Sequence, residues 1–269
     1  MSSPTPLLDL FKRGDVAKDA RMLAAQGALA PRAHEQLSIL VLLLADPDAE
    51  IRSAAEETLQ RIPVEVLRTF LARSDLPAGL REFFADRGVL PAETPQLVVD
   101  EEQPLIDTAP AEEAAPVEEG IEGKEGKEEE RASIVQKLAN MGFTERLKAA
   151  VKGTREMRSI LIRDPNRMIC TAVLSSPKVT DSEAATFARM ASVSEDVLRA
   201  IGSNRAWMKS YGVVLGLTKN PKTPLAMSLN LMQRLQARDI STLAVDRNVP
   251  EPLRIAARKK MLANASGKE

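Results

Sequence analysis

Most of this chain carries apolar residues at helical spacing, in stretches of roughly 10–14 residues that prolines and glycines separate. Leu37, Leu40 and Leu44 share one face of a predicted helix, and Trp207 and Tyr211 begin the apolar stripe of another. Strand-like alternation does not compete with this pattern, and aromatic residues, which strands favour, make up only 3% of the chain. The sequence therefore predicts an all-α protein with Trp207 and Tyr211 in its core.

Local signals predict where several of these helices begin. Thr180 is followed three residues later by Glu183, which is the capping-box pattern. Asp46 precedes Pro47 and Thr223 precedes Pro224, so Asp46 and Thr223 are predicted N-caps with proline at the first helical position.

Charge divides the 269-residue chain into three parts, although its net charge is only −1. Residues 1–91 carry 11 basic and 13 acidic residues, residues 92–130 carry two and 14, and residues 131–269 carry 24 and 11. The middle part is also rich in proline and glycine, so it has too little apolar surface to offset the entropy of ordering. We predict a helical domain over 1–91, an acidic disordered linker over 92–130 and a basic helical domain over 131–269. Within the linker, only residues 97–99 and 105–106 are apolar enough to dock.

One stretch of the first domain resembles a HEAT repeat. Residues 42–55 read Leu-Leu-Leu-Ala-Asp-Pro-Asp-Ala-Glu-Ile-Arg-Ser-Ala-Ala, and Leu59 follows. They match the end of a first helix, an Asp-Pro turn, and a second helix that carries hydrophobe–Arg–x–Ala–Ala. The resemblance implies structural roles for Asp46, Pro47 and Arg52 in ordering neighbouring repeats.

The basic domain has an internal period of 44 residues, within the ~40–47 of HEAT and armadillo units. Ser-Pro-Lys at Pro177 recurs as Asn-Pro-Lys at Pro221, and Ser203-Asn204 recurs as Arg247-Asn248. The region from Ile160 to Met261 also resembles leucine-rich-repeat-variant proteins, which are stacks of short helices. These resemblances imply an α-solenoid in which Pro177, Asn204, Pro221 and Asn248 mark repeat turns. The repeat class stays open, because this region lacks the Asp46-to-Arg52 spacing.

Several function classes are disfavoured. The chain has one cysteine, Cys170, and one histidine, His34, which argues against a disulfide framework, an all-cysteine metal site and most zinc sites. Phosphate loops, dinucleotide fingerprints and nucleophile elbows do not occur. The apolar run from Leu37 to Ala45 is about half the ~20 residues of a membrane span, and the first residues lack a secretory pattern. We predict a cytoplasmic protein that is not an enzyme and has no cofactor, metal or membrane contact.

Exposed cations are the remaining candidates for function. The predicted partner-binding residues are Lys148, Lys152, Arg155, Arg158, Arg163, Arg167, Arg205, Lys209, Arg254 and Arg258. They either form solvated outer faces and cap helix C-termini, or hold an anionic partner on the concave face of the solenoid.

We therefore predict a protein–protein interaction or scaffold module, and the cations make an acidic protein one candidate partner. The alternative is nucleic-acid binding by the basic domain. A DNA glycosylase of the HEAT-like kind is a distant third, because no acidic residue lies on the helix of Trp207 and Tyr211. The acidic linker either docks on the basic domain and competes with its partner, or is a soluble spacer whose charge offsets that of the basic domain.

Overall fold

The computed structural model describes residues 6–29, 31–73, 76–93, 103–108 and 124–266, with side chains left out at 124–131 and 264–266. Across those ranges the chain forms sixteen α-helices and one short 3-10 helix, and no strand. This confirms the all-α prediction. The helices are α1 (Pro6–Arg13), α2 (Lys18–Ala25), α3 (Ala33–Leu43), α4 (Ala49–Arg61), α5 (Val64–Leu71), α6 (Ala78–Asp86), α7 (Lys124–Asn140), α8 (Phe143–Lys152), α9 (Arg155–Leu161), α10 (Arg167–Leu174), α11 (Asp181–Arg189), α12 (Glu195–Ser203), the 3-10 helix (Trp207–Lys209), α13 (Tyr211–Lys219), α14 (Leu225–Met232), α15 (Ala237–Val245) and α16 (Glu251–Ser266).

The chain divides into two compact units, unit 1 (Met1–Lys178) and unit 2 (Val179–Glu269). In unit 1, α1 contacts α3 and α10, and α2 contacts α3, α4 and α8. The core of this unit includes Leu7, Leu37, Leu147 and Ile169, each fully buried. Cys170 on α10 is buried too, and its Sγ lies 3.2 Å from the carbonyl of Asn166.

This division differs from the predicted domain boundaries at residues 91 and 130. Helices α8, α9 and α10 are only 10, 7 and 8 residues long, and each has an apolar stripe to bury. Helix α10 buries its stripe partly against α1, and α8 packs on α2, although α1 and α2 lie at the other end of the sequence. Neither the charge distribution nor the composition of the sequence predicts this packing between distant segments.

The predicted disordered linker is partly ordered. Residues 124–130 form the first turns of α7, whose later part contacts α9. Residues 103–108 are hydrogen-bonded to α3 and to the turn after α2. The apolar patch at 97–99 lies outside the described residues.

Unit 2 is held together by close packing of α13 on α11. Cβ atoms placed on Gly212 and Gly216 would lie 3.4 Å and 3.1 Å from the Cβ atoms of Ala185 and Ala188 respectively. Glycine and alanine therefore let the two helices approach closely. Helix α13 also contacts α14, and α16 packs on both α14 and α15.

The same turn follows six of the helices. In each, a side-chain oxygen accepts the backbone N–H two residues later, at 2.7–3.2 Å. The accepting residues are Asp46, Asp164, Ser176, Asn204, Asn220 and Asp246. The middle position is proline in four of them, at residues 47, 165, 177 and 221. Each bond gives an acceptor to a backbone N–H of the loop that follows the helix.

These turns refine the predicted repeat positions. Pro177 and Pro221 do occupy equivalent places, because they follow Ser176 and Asn220. Asn204 is matched by Asp246 rather than by Asn248, whose N–H donates to Asp246 at 3.0 Å. The second pair of turns is therefore 42 residues apart, and the predicted offset of 44 is wrong for it.

Helix starts agree with the sequence in one case and differ in two. Thr180 and Glu183 form the predicted capping box. Asp46 is not the N-cap of α4; Asp48 is, and its Oδ1 accepts from the N–H of Glu50 at 3.0 Å. The Asp46 carboxylate instead accepts the N–H of Asp48 in the turn between α3 and α4, and it forms an ion pair with Arg21. Thr223 does not cap α14 either, because the helix begins at Leu225, Pro224 occupies the N-cap position and no side chain caps this helix.

Candidate functional site

Arg158, a predicted partner-binding residue, is structural. It is 4% exposed, and its guanidinium donates to the carbonyls of Gly153 at 2.8 Å and Lys178 at 3.4 Å. The prediction that Arg158 faces a partner is therefore wrong. Its guanidinium instead links the end of α8 to the loop after α10 within unit 1.

The other predicted cations of unit 1 lie in different environments. Arg155 and Arg167 are exposed, and Lys148 is half-buried. Arg163, just after α9, donates to the carbonyl of Ser159 on that helix at 3.2 Å. Lys152 forms an ion pair with Asp107 of the predicted linker.

Many cations in both units donate to carbonyls at the C-terminal ends of helices. These pairs are Arg258 with Ala244, Lys260 with Met232, Lys178 with Lys152 and Arg32 with Leu174. The last carbonyls of a helix lack an intrahelical donor and carry the negative end of its dipole, so cations stabilise them. For Arg258, a predicted binding residue, the geometry favours the structural role.

A group of cations in unit 2 surrounds the turn between α14 and α15. Arg234 donates to the carbonyl of Met208 at 2.7 Å, which places it beside Lys209 on the 3-10 helix. The Nζ of Lys260 lies 2.9 Å from Gln233, the neighbour of Arg234. Arg238 is exposed in the first turn of α15. We call Lys209, Arg234, Arg238 and Lys260 the unit 2 basic cluster.

Tyr211 adds an aromatic ring to this cluster. It is 36% exposed, so the prediction that it belongs to the core is wrong, whereas Trp207 is buried as predicted. The two residues do not share a stripe, because the 3-10 helix ends before α13 begins. The Tyr211 hydroxyl donates to the carboxylate of Asp239 and accepts the N–H of Gln236 at 3.2 Å. Burial of the hydroxyl and its bond to Asp239 raise the pKa of Tyr211 above its usual value.

Only Lys209 of this cluster was among the predicted binding residues. Arg205 is exposed two residues from Trp207 and four from Lys209, and Arg254 is half-buried on α16. Arg234 and Arg238 were not predicted to bind a partner, because they lie on opposite sides of the start of α15. Two cations four residues apart are common in helical proteins, so this spacing does not by itself indicate a binding site. The carboxylate beside Tyr211 was missed because Asp239 comes from another helix.

A second candidate site, in unit 1, holds residues 103–108. The side chain of Gln36 on α3 is 2% exposed, and its Oε1 accepts the N–H groups of Leu105 at 2.7 Å and Ile106 at 3.1 Å. Its Nε2 donates to the carbonyl of Ile106. Both polar atoms of one buried amide are thus used to hold the backbone of this short segment.

Backbone groups on either side of Gln36 complete this site. The N–H of Ala33 donates to Gln103 at 3.0 Å, and the carbonyl of Gln26 accepts the Thr108 hydroxyl at 2.5 Å. Gly27 has a φ of +72°, and a Cβ there would lie 3.5 Å from Ile106 and 3.4 Å from Thr108. A side chain at residue 27 would therefore be strained and would crowd the segment. We call Gln26, Gly27, Ala33, Gln36 and Lys152 the Gln36 site.

Glu35, next to Gln36, is a buried carboxylate at the start of α1. It is 3% exposed, and one of its oxygens accepts the N–H groups of Leu7 at 2.8 Å and Leu8 at 3.0 Å. Burial raises the pKa of Glu35 above its usual value, although the N–H of Leu8 and the charge of Arg32 act in the opposite direction. Since both N–H groups belong to the first turn of α1, Glu35 acts as a cap supplied by another helix.

Within the ranges that the structure describes, no group of three or more His, Cys, Asp or Glu side chains is arranged to hold a metal ion. Over the same ranges, no helix combines the length and apolar character that crossing a membrane requires. Comparisons with protein-family models, with curated proteins and with solved structures find no match for this chain.

Proposed function

We propose that this protein is a non-enzymatic binding module, built from HEAT-like helical repeats arranged as a solenoid, that holds an acidic protein partner on the unit 2 basic cluster. The observation that carries the proposal is the convergence of Lys209, Arg234, Arg238 and Lys260 on one turn. The four come from the 3-10 helix, the turn after α14, α15 and α16, and hydrogen bonds to backbone carbonyls fix the side chains of Arg234 and Lys260.

The charge balance of the cluster supports an anionic partner. The Asp239 carboxylate, which accepts a hydrogen bond from the Tyr211 hydroxyl, offsets one positive charge, so the four cations and Asp239 together keep a net positive charge. Three of the four cations are exposed, so their charges face solvent. Cations grouped in this way attract anionic surfaces and speed their association at low ionic strength.

The test is binding of a fluorescein-labelled decaglutamate peptide to the full chain, followed by anisotropy at 20 and 150 mM salt. In the test variant, Lys209→Glu is combined with Arg238→Glu. In the control, Lys222→Glu is combined with Arg247→Glu, which makes the same change in net charge elsewhere in unit 2. The proposal expects the first pair to weaken binding about tenfold more than the second. Equal losses, or no binding by the unaltered chain, would contradict it.

Nucleic-acid binding is the second candidate, and the exposed ring of Tyr211 favours it. An aromatic side chain among cations can stack on a base while the cations hold the phosphates. The same assay with a 20-nucleotide single strand tests this: Tyr211→Leu should weaken DNA binding by one stacking contact and leave decaglutamate binding unchanged. A steep fall of affinity with salt should accompany DNA binding.

A further inference from the structure

The hydrogen bonds of the Gln36 site recognise a backbone rather than particular side chains. Gln36, Ala33 and Gln26 all bond to backbone atoms or to the Thr108 hydroxyl of the docked segment. A glutamine amide buried to this extent needs partners for its oxygen and its nitrogen, since an unmatched buried polar group is destabilising. Any chain that bends in the same way at this place can supply those partners.

The two aliphatic side chains of the docked segment are partly exposed. Leu105 and Ile106 are only half-buried, although they are the two most apolar residues of residues 103–108. Asp107 pairs with Lys152, which adds a requirement for negative charge directly after the aliphatic pair. A segment with the same pattern and larger aliphatic contacts would bury more apolar surface than this one does.

We infer that the Gln36 site is a peptide-binding site. Residues 103–108 occupy it as an internal ligand, and its external ligand is a segment of another protein that has two adjacent aliphatic residues followed by an acidic one. This inference concerns unit 1 and is independent of the basic cluster in unit 2.

A different protein fits the observations better than a second copy of this chain. A segment tethered within the same chain has an effective concentration of about a millimolar, so an identical segment from another copy has no advantage over it. A different sequence can displace it by burying more apolar surface at the positions of Leu105 and Ile106, which are half-exposed.

The experiment measures binding of a labelled peptide to the full chain and to a variant without residues 103–108. The peptide has the sequence of residues 101–110, Glu-Glu-Gln-Pro-Leu-Ile-Asp-Thr-Ala-Pro, with fluorescein at its N-terminus. Removal of the internal ligand should tighten peptide binding about tenfold, because the tethered competitor is gone. Circular dichroism checks that the variant keeps its helices. If the deletion unfolds the chain, Leu105→Pro combined with Ile106→Pro removes the two backbone donors to Gln36 and allows the same comparison.

Altered peptides test the site without altering the protein. Methylation of the peptide nitrogens at the Leu and Ile positions removes the two donors to Gln36, and it should weaken binding about tenfold. Aspartate replaced by asparagine should weaken binding about twofold to fivefold, and only at low salt.

Four results would overturn the inference. The first two are equal binding of the peptide by the deletion variant and the full chain, and no binding by either at millimolar concentration. The third is a methylated peptide that binds as tightly as the unmethylated one. The fourth is a dimer of the full chain, seen by sedimentation, that the deletion abolishes, because it would assign the site to a second copy of this chain.

Discussion

Replacing Glu35 tests how unit 1 tolerates a buried carboxylate. In Glu35→Ala, the buried N–H groups of Leu7 and Leu8 lose the oxygen that accepts both of them at 2.8 and 3.0 Å. Leaving a buried donor without an acceptor costs about 1–3 kcal/mol. Because the smaller side chain leaves space for a water molecule near two donors, we expect a loss of about 2–4 kcal/mol in the free energy of unfolding.

Glu35→Gln separates the hydrogen bonds from the charge. A glutamine oxygen can accept both N–H groups, so this variant should stay within about 1 kcal/mol of the unaltered chain at pH 7. Since the pKa of Glu35 is raised in the folded chain, the folded state holds the proton more tightly than the unfolded state. The resulting stabilisation is complete below the unfolded value of about 4.5 and is lost as pH rises through the raised pKa.

The assay is urea unfolding of the full chain, followed by circular dichroism at half-unit steps from pH 4.5 to 8. The stability of Glu35→Gln relative to the unaltered chain should rise with pH over this window, because only the unaltered chain loses the stabilisation from the bound proton. Glu82→Gln, on the exposed face of α6, is the control and should show no such trend. The reasoning is refuted if Gln and Ala are equally destabilising, or if the difference between Gln and Glu35 does not change with pH.

Three further substitutions test the packing and the turns. Arg52→Ala should lower stability by about 1–2 kcal/mol in urea unfolding, because Nη1 donates to the carbonyls of Asp46 at 2.7 Å and Pro47 at 3.0 Å, whereas Arg61→Ala on the same helix should be nearly neutral. Thr180→Ala removes the oxygen that caps α11 and should cost about 1 kcal/mol, while Thr180→Ser should preserve stability. Gly216→Val should lower the melting temperature by several degrees, since a Cβ there already lies 3.1 Å from Ala188 and a branched side chain adds further overlap.

The sequence predicted the features that depend on nearest neighbours along the chain. Helical periodicity and the capping box at Thr180 and Glu183 are local, and the structure bears out both. Cys170 is buried because it lies on the apolar face of α10, which periodicity also indicates. Asp46 shows the limit of local reasoning. Asp46 and Asp48 are both good N-cap residues, but Asp48 caps α4, whereas Asp46 pairs with Arg21 from another helix.

The features that the sequence missed depend on contacts between distant residues. Leu105 and Ile106 were noted as an apolar patch, but their partner, Gln36, is about 70 residues away and has no pattern that singles it out. Arg158 looked like any other cation in a basic stretch, and only the fold shows that two carbonyls surround it. Side-chain chemistry is readable from the sequence, whereas the neighbours that decide its use are not.

The single cysteine and the single tryptophan give each unit its own natural probe. Cys170 is buried in unit 1 and Trp207 is buried in unit 2. The rate at which a thiol reagent modifies Cys170 measures how often α10 opens, and the emission of Trp207 follows the packing around the 3-10 helix. Local opening of each unit is therefore measurable in the unaltered chain, without labels or new residues.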